Sequence, residues 1–212
     1  VANGAFLKIG GSTNFPSNYN LRTLALASTV EYNGINQTVS AQSFGNLIFF
    51  CGSGASVKTM PATAITIEGN FTSNIGTGTS VSFTAASALT INGNVNLGVS
   101  TIFNGNSHSH TIRGNWVNNG TFTGSTSTVL FDGPSLEISG SGTQNFNNVS
   151  FLRFGITATG NLNVSGDLVT NGAGQFTHNS GGLITMTGTA KTITGTDIFF
   201  SSLTISGSVT TN

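Results

Sequence analysis

A seven-residue phrase recurs along this chain of 212 residues and constrains its fold more than any other feature. The phrase begins with an apolar residue, followed by a residue that is usually Thr and then by Ile or Val. One variable position, a glycine, a small polar residue and often another apolar residue complete it. Five copies are Ile65–Phe71, Leu89–Val95, His110–Trp116, Leu162–Leu168 and Leu203–Val209, with looser copies at Leu136–Gly140 and Lys191–Gly195. The alternation predicts a short strand, and the glycine predicts a turn. Repetition on a period of roughly twenty-odd residues is typical of a solenoid.

The repeat predicts an all-β chain folded as a right-handed parallel β-helix, a single solenoid domain over residues 1–212 with short strands and Gly/Asn turns. Gly, Ser, Thr and Asn form more than half of the sequence, a composition also found in disordered linkers. The 16 Phe and the regular alternation around each glycine argue against disorder. A β-sandwich, or a pair of them, is the competing interpretation. It fits less well because uniformly short loops and in-phase repeats are not expected of a sandwich.

The repeats also predict which side chains stack inside the solenoid. A longer repeat aligns Val30–Gly34, Val129–Gly133 and Ile184–Gly188. We expect one aliphatic ladder and one aromatic ladder, the first from Ile67, Ile91, Ile112, Val164 and Ile205 and the second from Phe44, Phe146 and Phe200. The asparagines that follow the glycines, Asn70, Asn94 and Asn115, are expected to form an amide ladder.

The two ends of the chain lie within the same motif. Residues 207–212 match residues 166–171, and residues 1–5 match residues 169–173. A β-helix needs caps over its open ends, and the sequence shows no capping pattern. The hypothesis is a segment of a longer tandem array, or a subunit that mates head to tail into a filament. Its assembly ends are Val1, Ala2 and Asn3 at one end and Thr210, Thr211 and Asn212 at the other.

The charge content excludes several classes of partner. The chain has six basic and six acidic residues, so its net charge is zero. Nucleic acid and anionic membranes require a dense basic footprint, so neither is expected as a partner. A near-zero net charge promotes self-association. The sequence has no apolar run long enough to span a membrane and no signal segment at Val1, so an exported protein would already have lost its leader.

Three phrases resemble the repeats of large secreted or cell-surface β-helical proteins of Bacteroidetes-type bacteria. They are Phe6–Gly11, Ser28–Val39 and Gly114–Phe122, and the similarity extends over nearly the whole chain. The resemblance implies export, display at the cell surface and an adhesive or scaffolding role. It supplies no catalytic residues. A leader and a C-terminal sorting domain of a full-length member are not recognised in this sequence.

An enzyme is the main alternative, because parallel β-helices often cleave polysaccharides. Such chemistry needs paired carboxylates or an acidic calcium cluster. The six acids are dispersed along the sequence, although stacking of equivalent repeats offers Glu31 and Asp132 as a pair. The prediction is therefore a non-enzymatic protein with no catalytic residues, cofactor or metal. A carbohydrate-active or carbohydrate-binding β-helix is the alternative, with surface glycans as its partners.

Three other elements have a functional and a structural interpretation. His108 and His110 alternate on a predicted strand and resemble a zinc pair, but His178 is the sole other histidine, so exposed polar side chains are expected instead. Cys51 is expected to be buried rather than reactive. Trp116 and Phe122 are expected in the core rather than in a platform for sugar stacking.

Overall fold

A computed structural model describes residues 1–11, 24–179 and 181–212 of the chain. Within these ranges every regular element is a β-strand, and the 27 strands form three sheets in which all neighbouring strands are parallel. Stacked strands of the three sheets make a solenoid of about nine turns. The predicted parallel β-helix is confirmed.

The strands are numbered in chain order and grouped here by sheet. Sheet A contains β1 (Phe6–Ile9), β2 (Thr29–Tyr32), β4 (Asn46–Cys51), β7 (Phe71–Ile75), β10 (Val95–Leu97), β13 (Trp116–Asn118), β16 (Glu137–Ser139), β19 (Ile156–Ala158), β22 (Phe176–His178) and β25 (Ile198–Phe200). Sheet B contains β3 (Asn36–Thr38), β5 (Ala55–Thr59), β8 (Ser80–Thr84), β11 (Thr101–Asn104), β14 (Thr121–Thr123), β17 (Thr143–Phe146), β20 (Leu162–Val164), β23 (Ile184–Met186) and β26 (Leu203–Ile205). Sheet C contains β6 (Ile65–Ile67), β9 (Leu89–Ile91), β12 (Ser109–Ile112), β15 (Thr128–Phe131), β18 (Asn148–Phe151), β21 (Leu168–Thr170), β24 (Lys191–Thr194) and β27 (Val209–Thr211).

From β4 onward each turn of the chain contributes one strand to sheet A, one to sheet B and one to sheet C. The turns differ in length: equivalent residues are 24 positions apart at Asn46 and Asn70 and 19 apart at Asn148 and Asp167. Parallel strands stack at about 4.8 Å, so nine turns extend over roughly 40 Å.

The aliphatic ladder is confirmed in part. Ile67, Ile91 and Ile112 are buried and pair directly in sheet C. Val164 and Ile205 belong to sheet B instead, where both flank Met186, so their placement in the same ladder is wrong. In sheet C the column continues with aromatic side chains, because Ile112 pairs with Phe131 of the next turn.

The predicted aromatic ladder does not exist. Phe44 bridges Ile67 of sheet C, Phe146 lies in sheet B and Phe200 lies in sheet A, so the three residues project from different sides of the solenoid. The aromatic rings stack in other columns. Phe131, Phe151 and Phe176 follow one another in near-parallel stacks, with centroid distances of 5.8 and 4.1 Å.

The aliphatic and aromatic ladders differ from the prediction for one reason. The recurring phrase predicts a strand and a corner, but it does not specify which of the three corners. The copies beginning at Ile65, Leu89 and His110 lead from sheet C into sheet A. The copies beginning at Leu162 and Leu203 lead from sheet B into sheet C. The aligned longer repeats likewise begin on three different sheets. Sequence-equivalent residues therefore do not always stack.

Candidate functional site

The corner between sheets C and A carries a chain of polar contacts across five turns, which we call the corner ladder. It consists of Glu68, Asn92 and Arg113, which occupy the variable position of the phrase, and of Asp132 and Arg153 in the next two turns. Asn92 Nδ2 donates to Glu68 Oε2 at 2.7 Å, and Arg113 donates to Asn92 Oδ1 at 2.6 Å. Asp132 then accepts from Arg113 at 3.1 Å and from Arg153 at 2.7 Å. Sequence reasoning missed this ladder, because each member is an isolated polar residue until the turns are stacked.

Asp132 is held in its ionised form. Partial burial alone would raise its pKa, but hydrogen bonds and charge from Arg113 and Arg153 outweigh burial and place the pKa of Asp132 below its ordinary value. A carboxylate clamped between two guanidinium groups is a poor proton donor at neutral pH. The arrangement serves to lock successive turns in register.

The carboxylate pair considered from the sequence is not formed. Glu31 lies in sheet A, where it forms an ion pair with Lys8 at 3.4 Å. Asp132 follows β15 of sheet C, several turns further along the solenoid, with its two arginines. The prediction that stacking unites Glu31 with Asp132 is wrong, because their aligned repeats begin on different sheets.

A row of asparagines follows the same corner, as predicted, but its hydrogen bonds differ from those of an amide ladder. The backbone N–H of Asn70 donates to Asn46 Oδ1 at 2.8 Å, that of Asn94 donates to Asn70 Oδ1 at 2.9 Å, and that of Asn115 donates to Asn94 Oδ1 at 2.8 Å. The side chain of each asparagine therefore accepts a hydrogen bond from the main chain of the next turn. Each asparagine satisfies a corner N–H that the sheets leave unpaired.

The histidines do not form a metal pair. His110 is 2 % exposed, receives the Leu89 N–H at Nδ1 (3.3 Å) and contacts the Gly105 carbonyl through Nε2 at 2.8 Å. Burial lowers the pKa of His110, which favours the neutral ring. His178 lies in sheet A, and the described residues contain no group of three potential metal ligands. The expectation that His110 is an exposed strand residue is wrong.

The other two structural interpretations are confirmed. Cys51 is buried at the end of β4 with its thiol directed at the carbonyls of Ser53 and Gly54. Trp116 and Phe122 are both buried, so they offer no platform to a sugar. The indole N–H of Trp116 donates to Gln144 Oε1 at 3.0 Å inside the core.

The last described turn, formed by β25, β26 and β27, exposes part of the core. Its inward residues Ile198, Phe200, Leu203 and Val209 are only partly buried, and Ile205 is 47 % exposed. One turn earlier, the equivalent residues Phe176, Ile184 and Met186 are fully buried. Within the described residues each of the three strands has a partner on one side. This surface, here called the end face, presents apolar side chains and main-chain hydrogen-bonding groups together.

The predicted assembly residues of the two chain ends lie near the same corner of the solenoid. Thr210 and Thr211 belong to β27 of sheet C, the same sheet as their sequence counterparts in β21. Residues 1–3 precede β1, and their turn is closed by a hydrogen bond from the Ala5 N–H to the Ala2 carbonyl at 3.1 Å. Asn3 Oδ1 accepts the Ala27 N–H of the next turn at 3.2 Å. Both sets of residues adjoin the corner between sheets C and A.

Sheet B presents a face without charge. One row of outward-facing side chains, here called the Thr/Asn row, runs through the nine stacked strands of the sheet. It contains Thr38, Thr59, Thr84, Asn104, Thr123, Asn145, Asn163, Thr185 and Thr204. A second outward row contains Asn36, Val57, Ser82, Ile102, Thr121 and Thr143. Lys58, the one ionisable side chain in the strands of this sheet, points inward and is 1 % exposed.

The fold defines the chain as a parallel β-helix solenoid of three sheets. No protein-family model, curated protein or solved structure matches the sequence. The described residues include no helix of the length and hydropathy needed to span a membrane.

Proposed function

We propose that this chain is a non-enzymatic structural and adhesive solenoid of the cell exterior, which continues turn upon turn into a filament or a longer surface array. The stacking of strands between successive turns carries the proposal. At the end face a further turn would bury the partly exposed apolar core and would pair the three strand edges. Each main-chain bond so formed contributes about 1 kcal/mol. Strand edges of this kind are templates for pairing with another chain.

The side-chain ladders support the same interpretation. The Thr/Asn row runs through all nine strands of sheet B, and the asparagine row runs through four successive turns. An added turn would therefore meet side chains of the kind that already stack within the solenoid. The zero net charge removes long-range repulsion between copies. The resemblance to Bacteroidetes-type surface repeats suggests the location, with the chain secreted or displayed at the cell surface.

The acidic side chains give the enzyme alternative little support. Glu31 and Asp132 form ion pairs, while Glu68, Glu137 and Asp167 accept hydrogen bonds from neighbouring turns. A glycoside hydrolase of the common type needs one carboxyl that stays protonated beside one that is ionised. The two arginines at Asp132 act against that requirement.

Substitution at the end face tests the proposal. Ile205→Asp places a charge in the surface that the next turn would cover, so we expect a monomer of 21.6 kDa. Ile102→Asp is the matched control, because Ile102 is also 47 % exposed but lies on the side of the solenoid. Sedimentation velocity should show concentration-dependent assembly for the unmodified chain and for Ile102→Asp.

Electron microscopy of the assembled material gives a second readout. We expect filaments with a repeat of about 4.8 Å along the axis, the spacing of parallel strands. A monodisperse 21.6-kDa monomer of the unmodified chain at all concentrations would eliminate docking of subunits.

A further inference from the structure

Two shallow depressions lie on the outer face of sheet B. The first, of about 420 Å³, is lined by Val57, Thr59, Ser82, Thr84, Ile102 and Asn104 together with residues of the following corner. The second, of about 360 Å³, is lined by Thr123, Ser125, Asn145, Asn163, Ser165 and Thr187 with their neighbours. Both include members of the Thr/Asn row. They lie one after the other along the solenoid axis and form a lane that spans the turns from β5 to β23.

From this lane we infer a binding site for a neutral, extended polysaccharide, with a β-linked glucan as the ligand class. The inference does not depend on end-to-end assembly, because the lane lies on the side of the solenoid. Hydroxyl and carboxamide groups both donate and accept hydrogen bonds, as the hydroxyls of a sugar require. The outward side chains of the described sheet B strands carry no charge, so an anionic ligand finds no counter-charge there.

Two aliphatic side chains give the lane an apolar component. Val57 and Ile102 are 49 % and 47 % exposed and lie two residues along their strands from Thr59 and Asn104. The ring faces of a β-linked glucan are formed by C–H groups, which gain free energy when they cover exposed aliphatic surface. The polar row can form hydrogen bonds with the hydroxyl groups along the edge of such a sugar, while the aliphatic patch contacts its C–H face.

Three asparagines of the row, Asn104, Asn145 and Asn163, are held in place before any ligand arrives. Ser125 Oγ donates to Asn104 Oδ1 at 2.9 Å, and Asn163 Nδ2 donates to Asn145 Oδ1 at 2.8 Å. Side chains fixed in this way lose little conformational entropy on binding.

A second copy of the chain is a poorer occupant of the lane than a glycan. The face is roughly 40 Å long and about 10 Å wide, so it offers roughly 400 Å². A stable protein interface needs about 800 Å² from each partner. The side of the sheet also offers no strand edge, so a lateral copy would gain no main-chain hydrogen bonds.

Titration calorimetry with cellohexaose tests the inference. The double variant Thr84→Ala/Thr123→Ala removes one hydroxyl from each depression, and neither hydroxyl has a side-chain hydrogen bond within the described part of the chain. We expect the affinity for cellohexaose to fall by about tenfold or more. The matched control is Thr90→Ala/Thr111→Ala, which removes the same groups from outward positions of sheet C and should leave the affinity unchanged. Thermal unfolding should show both variants to be as stable as the parent chain.

Four results would overturn the inference. They are no binding of cellohexaose at millimolar concentration, equal weakening by both double variants, tighter binding of the anionic hexagalacturonate, and a changed sedimentation coefficient of the sugar-free Thr84→Ala/Thr123→Ala protein. The last would identify the lane as a contact between copies.

Discussion

At the scale of single residues, Lys58 shows how a charge is accommodated inside the solenoid. Its Nζ donates to Gln37 Oε1 at 2.7 Å and to the Gly34 carbonyl at 2.5 Å. Gln37 in turn donates to the carbonyls of Ile9 and Gly11 in the preceding turn. Burial lowers the pKa of Lys58 to about 8, while electrostatic interactions with Cys51 and Glu31 raise it and limit the shift.

This lowered pKa predicts a pH-dependent stability. The unfolded chain keeps the Lys58 proton up to its ordinary pKa of 10.5, whereas the folded chain releases it near 8. Between these values the unfolded state binds more protons, so the Lys58 contribution to the free energy of unfolding rises with pH, by up to about 1.4 kcal/mol per pH unit. Urea unfolding of the parent chain and of Lys58→Met at pH 7.5 and 9.5 measures it. The parent should gain stability relative to the variant at the higher pH, and parallel profiles would contradict the assignment.

At the scale of the strand and corner, close approach of the backbones explains the glycine in the phrase. Gly133 follows Asp132 at the corner after β15, and a Cβ at this position would overlap the carbonyl of Arg113 in the preceding turn. The requirement comes from stacking, since every turn passes close to its neighbour at the corner. Similar overlaps would arise at Gly93 and Gly114.

A pair of glycine substitutions tests this explanation. Gly133→Ala should destabilise the fold by about 2 kcal/mol or more, because the backbone must shift to admit the methyl group. Gly52→Ala is the matched control, since its added Cβ would meet a side chain at an ordinary distance of 3.7 Å. Chemical denaturation of the two variants gives the comparison, and equal midpoints would show that close approach is not the reason for the glycine.

At the scale of the whole molecule, the solenoid depends on hydrogen bonds and apolar burial, with few charges near the end face. Asp197 is the one ionisable side chain in residues 192–212. Salt screens interactions between exposed charges strongly and affects apolar burial little. End-to-end assembly should therefore be almost independent of ionic strength.

Sedimentation velocity in 0.05 M and 0.5 M NaCl checks this expectation. We predict association constants within about twofold of each other. Weakening by tenfold or more in high salt would show instead that ion pairs join the copies.

The sequence by itself determined the all-β class, the strand and glycine-corner unit, and parallel stacking, because alternation and glycine placement act within a few residues. It also determined the buried state of Cys51 and Trp116. The tertiary structure decided which sheet each copy of the phrase enters. All three corners accept the same local sequence, and the turns vary in length. The motifs therefore do not show that Val164 lies in sheet B and Phe200 in sheet A. For the same reason the partners of Asp132 and the continuous Thr/Asn row emerged only when residues about twenty positions apart were stacked.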